Sequence, residues 1–180
     1  MRVRVENSHA STALSCARGI AAGLGLHDQR AGRSVAAVIG DGAMTGGLAR
    51  EGLNNLAERP ELPVMVVRND NGRSYDPTIG GLARRLAALR TARRGPADLG
   101  PNVFEQLGLA YVGPVDGHGI PAVEAALCKA CDMRQVVVVH VVTDKGRGWE
   151  PAETGPADRM HGIGVLDPAT GKPHAPAGTS

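Results

Sequence analysis

The sequence predicts an α/β fold, a mostly parallel sheet with helices on both faces. Short apolar runs recur at residues 35–39, 63–68, 110–112 and 136–142, with helix-length segments between them. Three of these runs end abruptly in residues suited to a charged ligand. Gly40-Asp41-Gly42 follows the first, Asn69-Asp70-Asn71 the second, and Thr143-Asp144-Lys145 the last. In a strand–helix–strand unit the strand ends open at one edge of a parallel sheet, and ligands sit at that edge. Composition agrees with this class. With one Trp, two Tyr and one Phe, the core of this 180-residue chain is expected to be Ala, Val and Leu, as in helices packed closely on a sheet.

The elements follow in order. Residues 10–26 predict a helix, with Leu14, Ala17, Ala21 and Leu24 at helical spacing and Ser11 or Thr12 as the cap. Residues 35–39 form a strand whose unbroken apolar character predicts cover on both faces. A helix is expected from Thr45 to Arg59, ended by Pro60, and then the strand 63–68. Residues 79–93 are helix-like. A short helix over 102–107, a small strand over 110–112 with the loop Gly113-Pro-Val-Asp-Gly-His118, and a helix over 121–133 come next. Residues 136–142 are the most apolar strand and are expected at the sheet centre. Residues 1–170 read as one domain and 171–180 as a disordered tail.

The chemistry of the strand ends rests on an apparent contradiction. The glycines around residue 42 and the helix start beyond them favour an anion. Asp41 places a negative charge in the same turn and would repel a bare diphosphate. A hard divalent cation removes the conflict by bridging carboxylate and phosphate oxygens, and Asn71 adds a carbonyl oxygen suited to magnesium. Asp70-Asn71-Gly72 is also a turn signal, but its place after a buried strand, matched to Asp41, favours a metal loop.

These residues carry a resemblance. Gly40-Asp-Gly42, followed after 28 residues by Asn71, resembles the motif of thiamine-diphosphate enzymes. Ser8-His-Ala-Ser-Thr12, Gly113-Pro-Val-Asp-Gly-His118, Lys145-Gly-Arg-Gly148, Pro151-Ala-Glu153 and His161-Gly162 extend it in register over residues 7–172. Together they resemble the first domain of the transketolase-like 1-deoxy-D-xylulose-5-phosphate synthase family. The resemblance implies thiamine diphosphate and Mg2+ as cofactors. It implies Asp41, Asn71 and the Arg73 carbonyl as metal ligands, and Ser8, His9, Ala10, Gly42, Ala43, Asn71 and Trp149 against the cofactor. His9 and His161 are the implied catalytic residues. The family reaction is decarboxylation of pyruvate with two-carbon transfer to glyceraldehyde 3-phosphate, giving a precursor of isoprenoids and thiamine. This chain stops where the family's first domain ends, so a homo-oligomer or a complementary pyrimidine-binding subunit is the expected partner.

Two other readings stand beside this one: a non-catalytic truncated fragment, and a dinucleotide-binding oxidoreductase domain with Asp70 on the ribose. A net charge of +2 gives no argument for nucleic acid, and the absence of a long apolar run gives none for a membrane. Arg84, Arg85, Arg90, Arg93 and Arg94 read as a solvated helix face. Cys128 and Cys131 read as packing residues on a helix, and the odd count of three thiols suits a reducing, cytoplasmic location.

Overall fold

The computed structural model describes residues 5, 9–27, 32–91, 100–155, 158–162 and 164–172. In chain order the elements are α1 (Ala13–Leu26), β1 (Val35–Gly40), α2 (Asp41–Met44), α3 (Gly47–Ala57), β2 (Val64–Asp70), α4 (Gly81–Thr91), α5 (Val103–Gln106), β3 (Ala110–Asp116), α6 (Ile120–Asp132), β4 (Val137–Val142) and α7 (Glu150–Glu153). The four strands form one sheet in the order β1-β2-β4-β3, and every neighbouring pair is parallel. The register sets Gly40 beside Asn69, Asn69 beside Val141 and Asp70 beside Val142, so β1, β2 and β4 end at one edge.

Helices cover both faces. Leu14, Ala17 and Ala21 of α1, Leu53 and Leu56 of α3, and Leu86 and Leu89 of α4 pack with Ala37, Ile39, Val64, Val66 and Val138 on one side. Ala126 and Ala130 of α6 pack with Met65, Val137, Val139 and Val141 on the other. Small helix residues let these layers approach closely, which is how a core nearly without aromatics closes. β4 holds the central place expected of it, and Val137, Val138 and Val139 are fully buried.

Several expectations need correction. β1 alternates rather than being covered on both faces: Ala37 and Ile39 are buried while Val38 is 65% exposed, because α6, the cover of that face, packs on β3 and β4 at the far side of the sheet. The glycine turn is itself helical. α2 begins at Asp41, and a second break at Thr45-Gly46 precedes α3, which ends at Ala57 rather than Arg59. β2 runs on through Asp70, and β3 runs through Gly113-Pro114 to Asp116 with a register shift between Val112 and Val115. The first helix starts at Ala13, after Ser11 in a left-handed conformation at φ 71°. Thr12 is the N-cap residue, but its side chain makes no cap hydrogen bond: Ser11 and Thr12 donate to Ala43 O and His9 O. Asn102 does cap α5, in a reciprocal box with Glu105.

Cys128 and Cys131 lie on the exposed side of α6, not in its packing face. Gly171 is buried and closes a turn with Asp167, while the rest of the expected tail, 173–180, lies outside the described residues, as do Arg93 and Arg94.

Candidate functional site

The site is assembled from loops that leave the carboxyl ends of β1, β2 and β4. Asp41 follows β1 directly, with Gly40 in extended conformation before it, so the helical turn 41–44 turns the carboxylate inward. Asp41 is 4% exposed, and its Oδ2 is buried without a hydrogen-bond partner. Burial raises its pKa above the ordinary value, the nearby Asp70 carboxylate raises it further, and Arg68, the Gly42 amide and Arg90 counteract only in part.

Neighbouring segments close around this turn. Ser11 Oγ donates to Ala43 O at 2.6 Å, joining the segment before α1 to α2. Gly42 lies so close to the loop after β2 that a Cβ there would stand 2.9 Å from Ser74 Cβ. In that loop Asn71 Oδ1 accepts the Arg73 amide at 3.2 Å, and Arg73 Nη2 donates to Tyr75 O at 3.1 Å. Lys145, beyond β4, donates from Nζ to Ser74 O at 2.6 Å and meets His161 Nδ1 at 2.7 Å. The His161 ring packs against Tyr75 with centroids 4.2 Å apart. Desolvation lowers the Lys145 pKa, Arg73 and Arg159 lower it further, and the Asp158 and Asp41 carboxylates counteract in part, so the rim is rich in cations with Asp158 among them.

The sequence-derived candidates therefore divide. Asp41, Gly42 and Ala43 on α2, Asn71 and Arg73 after β2, and His161 belong to segments linked by direct contacts. His9 and Ala10 are exposed in the turn before α1, which Ser11 ties to α2. Trp149 caps α7, and its indole N–H donates to Pro168 O at 3.4 Å, toward the later segment. Ser8 lies outside the described residues. Among the described residues no group of three His, Cys, Asp or Glu side chains forms a metal centre. A cation at Asp41 would therefore need carboxamide or backbone oxygens to complete its shell.

Sequence reasoning missed a buried polar network on the other side of Asp41. Asp70 Oδ2 accepts from Arg68 Nη1 and from His140 Nε2, both at 2.7 Å, and Asp70 Oδ1 accepts from Arg90 Nη2 at 2.7 Å. Tyr111 Oη lies 2.6 Å from His140 Nδ1, and His140 Nε2 also stands 2.6 Å from Arg68 Nη1, so Arg68, Asp70 and His140 are in mutual contact. Burial lowers the His140 pKa, which favours the neutral ring, and the Asp70 hydrogen bond and charge counteract only in part. For Asp70 burial acts upward, but the His140 hydrogen bond and the Arg68 and Arg90 charges outweigh it and hold the carboxyl at about 2. The sequence signal was present: Arg68 and Asp70 share one strand face at i, i+2, and His140 interrupts an all-Val run. Asp116 and His118 sit at the rim, where His118 Nε2 accepts the Asp144 amide at 2.9 Å.

An open parallel sheet whose strand ends carry a buried, partnerless carboxylate beneath a cationic rim defines a ligand-binding α/β domain of the strand-end type. Comparison with known proteins makes the class specific. The family model described as 1-deoxy-D-xylulose-5-phosphate synthase matches residues 3–99 and 97–143. Proteins of that name from Frankia casuarinae and Nocardia farcinica are 48% and 50% identical over 202 residues, covering 94% of this chain. One from Thermobifida fusca is 45% identical over 211 residues, covering 97%. The chain belongs to the 1-deoxy-D-xylulose-5-phosphate synthase family.

It spans about a third of the length of these relatives, 30% to 32%. The aligned lengths exceed the 180 residues present, so the relatives carry internal residues that this chain lacks, and the family match breaks at 97–99. No described helix is long and apolar enough to cross a membrane.

Proposed function

We propose that this chain is the diphosphate- and magnesium-holding part of a thiamine-diphosphate-dependent, transketolase-type synthase. In this reading a partner, a second copy or a separate pyrimidine-binding subunit, completes the site. The observation that carries the proposal is the partnerless, nearly fully buried Asp41 Oδ2; the cavity of about 200 Å³ that Asp41 helps line is bounded by Arg68, Asp70, Gly72 and Arg90, beside the loop that carries Asn71 and Arg73. An unpaired buried carboxylate oxygen is costly unless a cation or a proton joins it, and Asp41, unlike the fully partnered Asp70, has that capacity left.

Asp41 would hold Mg2+ with the Asn71 carboxamide and the Arg73 carbonyl, as oxygen donors suited to a hard ion. Lys145 and Arg73 would face the diphosphate. His161, hydrogen-bonded to the Lys145 ammonium through Nδ1, keeps Nε2–H free to donate toward a ligand oxygen. His9 and Ala10, carried on the segment that Ser11 fastens to α2, would line the same edge, as would Gly42 and Ala43. When bound, thiamine diphosphate supplies the two-carbon transfer chemistry, and the protein binds and orients it. With a partner present, the substrates would be pyruvate and glyceraldehyde 3-phosphate, giving 1-deoxy-D-xylulose 5-phosphate.

Titration calorimetry of the intact chain tests this. Thiamine diphosphate is expected to bind with Mg2+ and not without it. NAD binding indifferent to Mg2+, with no thiamine diphosphate binding, would overturn the proposal in favour of a dinucleotide-binding domain.

A further inference from the structure

The loop after β2 needs something to fix it, and α4 supplies it. Arg90, in the last turn of α4, reaches back to the sheet edge and donates from Nη2 to Asp70 Oδ1 at 2.7 Å. Its guanidinium lies against the backbone of Gly72. A Cβ on Gly72 would stand 2.6 Å from Arg90 Nη1 and 3.2 Å from the guanidinium carbon. Gly72 also has φ +79°, a conformation side chains disfavour, so the chain is bare on the side where the guanidinium sits.

The backbone on either side is held as well. Asp70 O accepts the Thr143 amide at 2.9 Å, and Gly72 O accepts the Thr78 amide at 3.1 Å. Between these anchors lie Asn71 and, just beyond, Arg73.

Arg90 is an expensive choice for this position. Its Nε is buried without a partner, which is unfavourable. An aliphatic residue would complete the last turn of α4 without that loss, and Asp70 already has Arg68 and His140 as partners. Arg90 also lines both cavities at this edge, the one reaching Asp41 and the one bounded by Asp116, His118 and Asp144. A planar cation that bonds the residue before the loop and packs on the residue within it fixes where the next carbonyl and carboxamide point.

We propose that Arg90 is a positioning residue that sets the loop 71–73 so that its oxygens face a divalent cation at Asp41. This rests on the metal-holding reading of that loop given above. Arg90 touches neither the metal nor the cofactor in this account; it acts through Asp70 and Gly72.

The test compares Arg90→Met and Arg90→Lys with the unaltered chain by two readouts. The first is amide hydrogen exchange of residues 71–78 in the free protein, which involves no ligand. Exchange is expected to quicken in Arg90→Met and, to a smaller degree, in Arg90→Lys, which keeps the charge on Asp70 but leaves the Gly72 backbone uncovered. The second is the Mg2+ concentration needed for half-maximal thiamine diphosphate binding. It is expected to rise about tenfold in Arg90→Met, as when a metal ligand loses its supporting partner, with cofactor affinity at saturating Mg2+ nearly unchanged. A purely structural role would lower both together. Unchanged exchange at 71–78 in Arg90→Met overturns the inference, and if that variant does not fold, unchanged exchange in Arg90→Lys does so. If the unaltered chain itself shows no Mg2+-dependent binding, the functional reading fails, and the exchange experiment still decides whether Arg90 holds the loop.

Discussion

Asp41 and Asp70 lie at the ends of adjacent strands and are almost equally hidden, at 4% and 2% exposure. Asp70 is surrounded by Arg68, Arg90 and His140, each at 2.7 Å, and its carboxyl is held at about 2. Asp41 has the Gly42 amide for one oxygen and nothing for the other, and its pKa is raised. Burial opposes charge on both; the partners decide the outcome. One carboxylate is committed to holding strands and helix together. The other is left with an unpartnered oxygen, which is the feature the proposed cation site rests on.

The largest expected effect comes from removing the committed carboxylate. Asp70→Ala leaves Arg68, 1% exposed, without its counter-charge, and a broken buried pair costs about 3–5 kcal/mol. Urea unfolding followed by circular dichroism should show that loss. A change under 1 kcal/mol would mean that the network adds little and that the two carboxylates are more alike than their surroundings suggest.

The pH dependence sharpens the same contrast with a smaller effect. His140 is neutral in the fold, with its pKa lowered from 6.5. Below pH 6.5 the unfolded chain therefore takes up a proton that the native state refuses, and stability falls. Asp70, at about 2 in the fold against 3.8 unfolded, contributes stability that is complete above 3.8 and lost as pH falls toward 2; this amounts to about 2 kcal/mol. Asp41 has the opposite sign, since a raised folded pKa favours the native state once its carboxyl is protonated. Denaturation midpoints taken between pH 7 and pH 3 should fall in the unaltered chain. In Asp41→Asn the fall should be steeper, because the opposing contribution is gone.

Much of this architecture was readable from residues alone, for reasons that also explain the misses. The run Val137–Val142 is apolar enough that only a central strand satisfies it, and Gly40 at the end of β1 and Asn71 just after β2 mark where the strands stop at one sheet edge. Helix boundaries were less legible. Asp41-Gly-Ala-Met44 looks like a loop because glycine weakens helix propensity, yet a single turn is stabilised by tertiary contacts such as Ser11 to Ala43. β1 could not be placed at the edge, since Ala36 and Val38 are as apolar as the residues they alternate with.

The Asp70 network escaped because its members come from β2, α4, β3 and β4, and spacing along the chain says nothing about which distant elements a topology brings together. The candidate site was proposed from residue types, Asp41 and Asn71 above all, and the structure places both on segments that leave adjacent strand ends. What could not be read was the support: Ser74 against Gly42, Lys145 on Ser74, and Arg90 on Gly72.

The account rests most directly on Asp41 as the residue that takes a divalent cation. Electron paramagnetic resonance of Mn2+, substituted for Mg2+ and titrated against the chain with thiamine diphosphate present, measures that binding without any turnover. Bound Mn2+ is expected in the unaltered chain. Binding at least about tenfold weaker is expected in Asp41→Asn, a variant whose stability should be equal or higher by about 1 kcal/mol, because it removes a poorly compensated buried charge. Full-strength Mn2+ binding in Asp41→Asn would contradict the account.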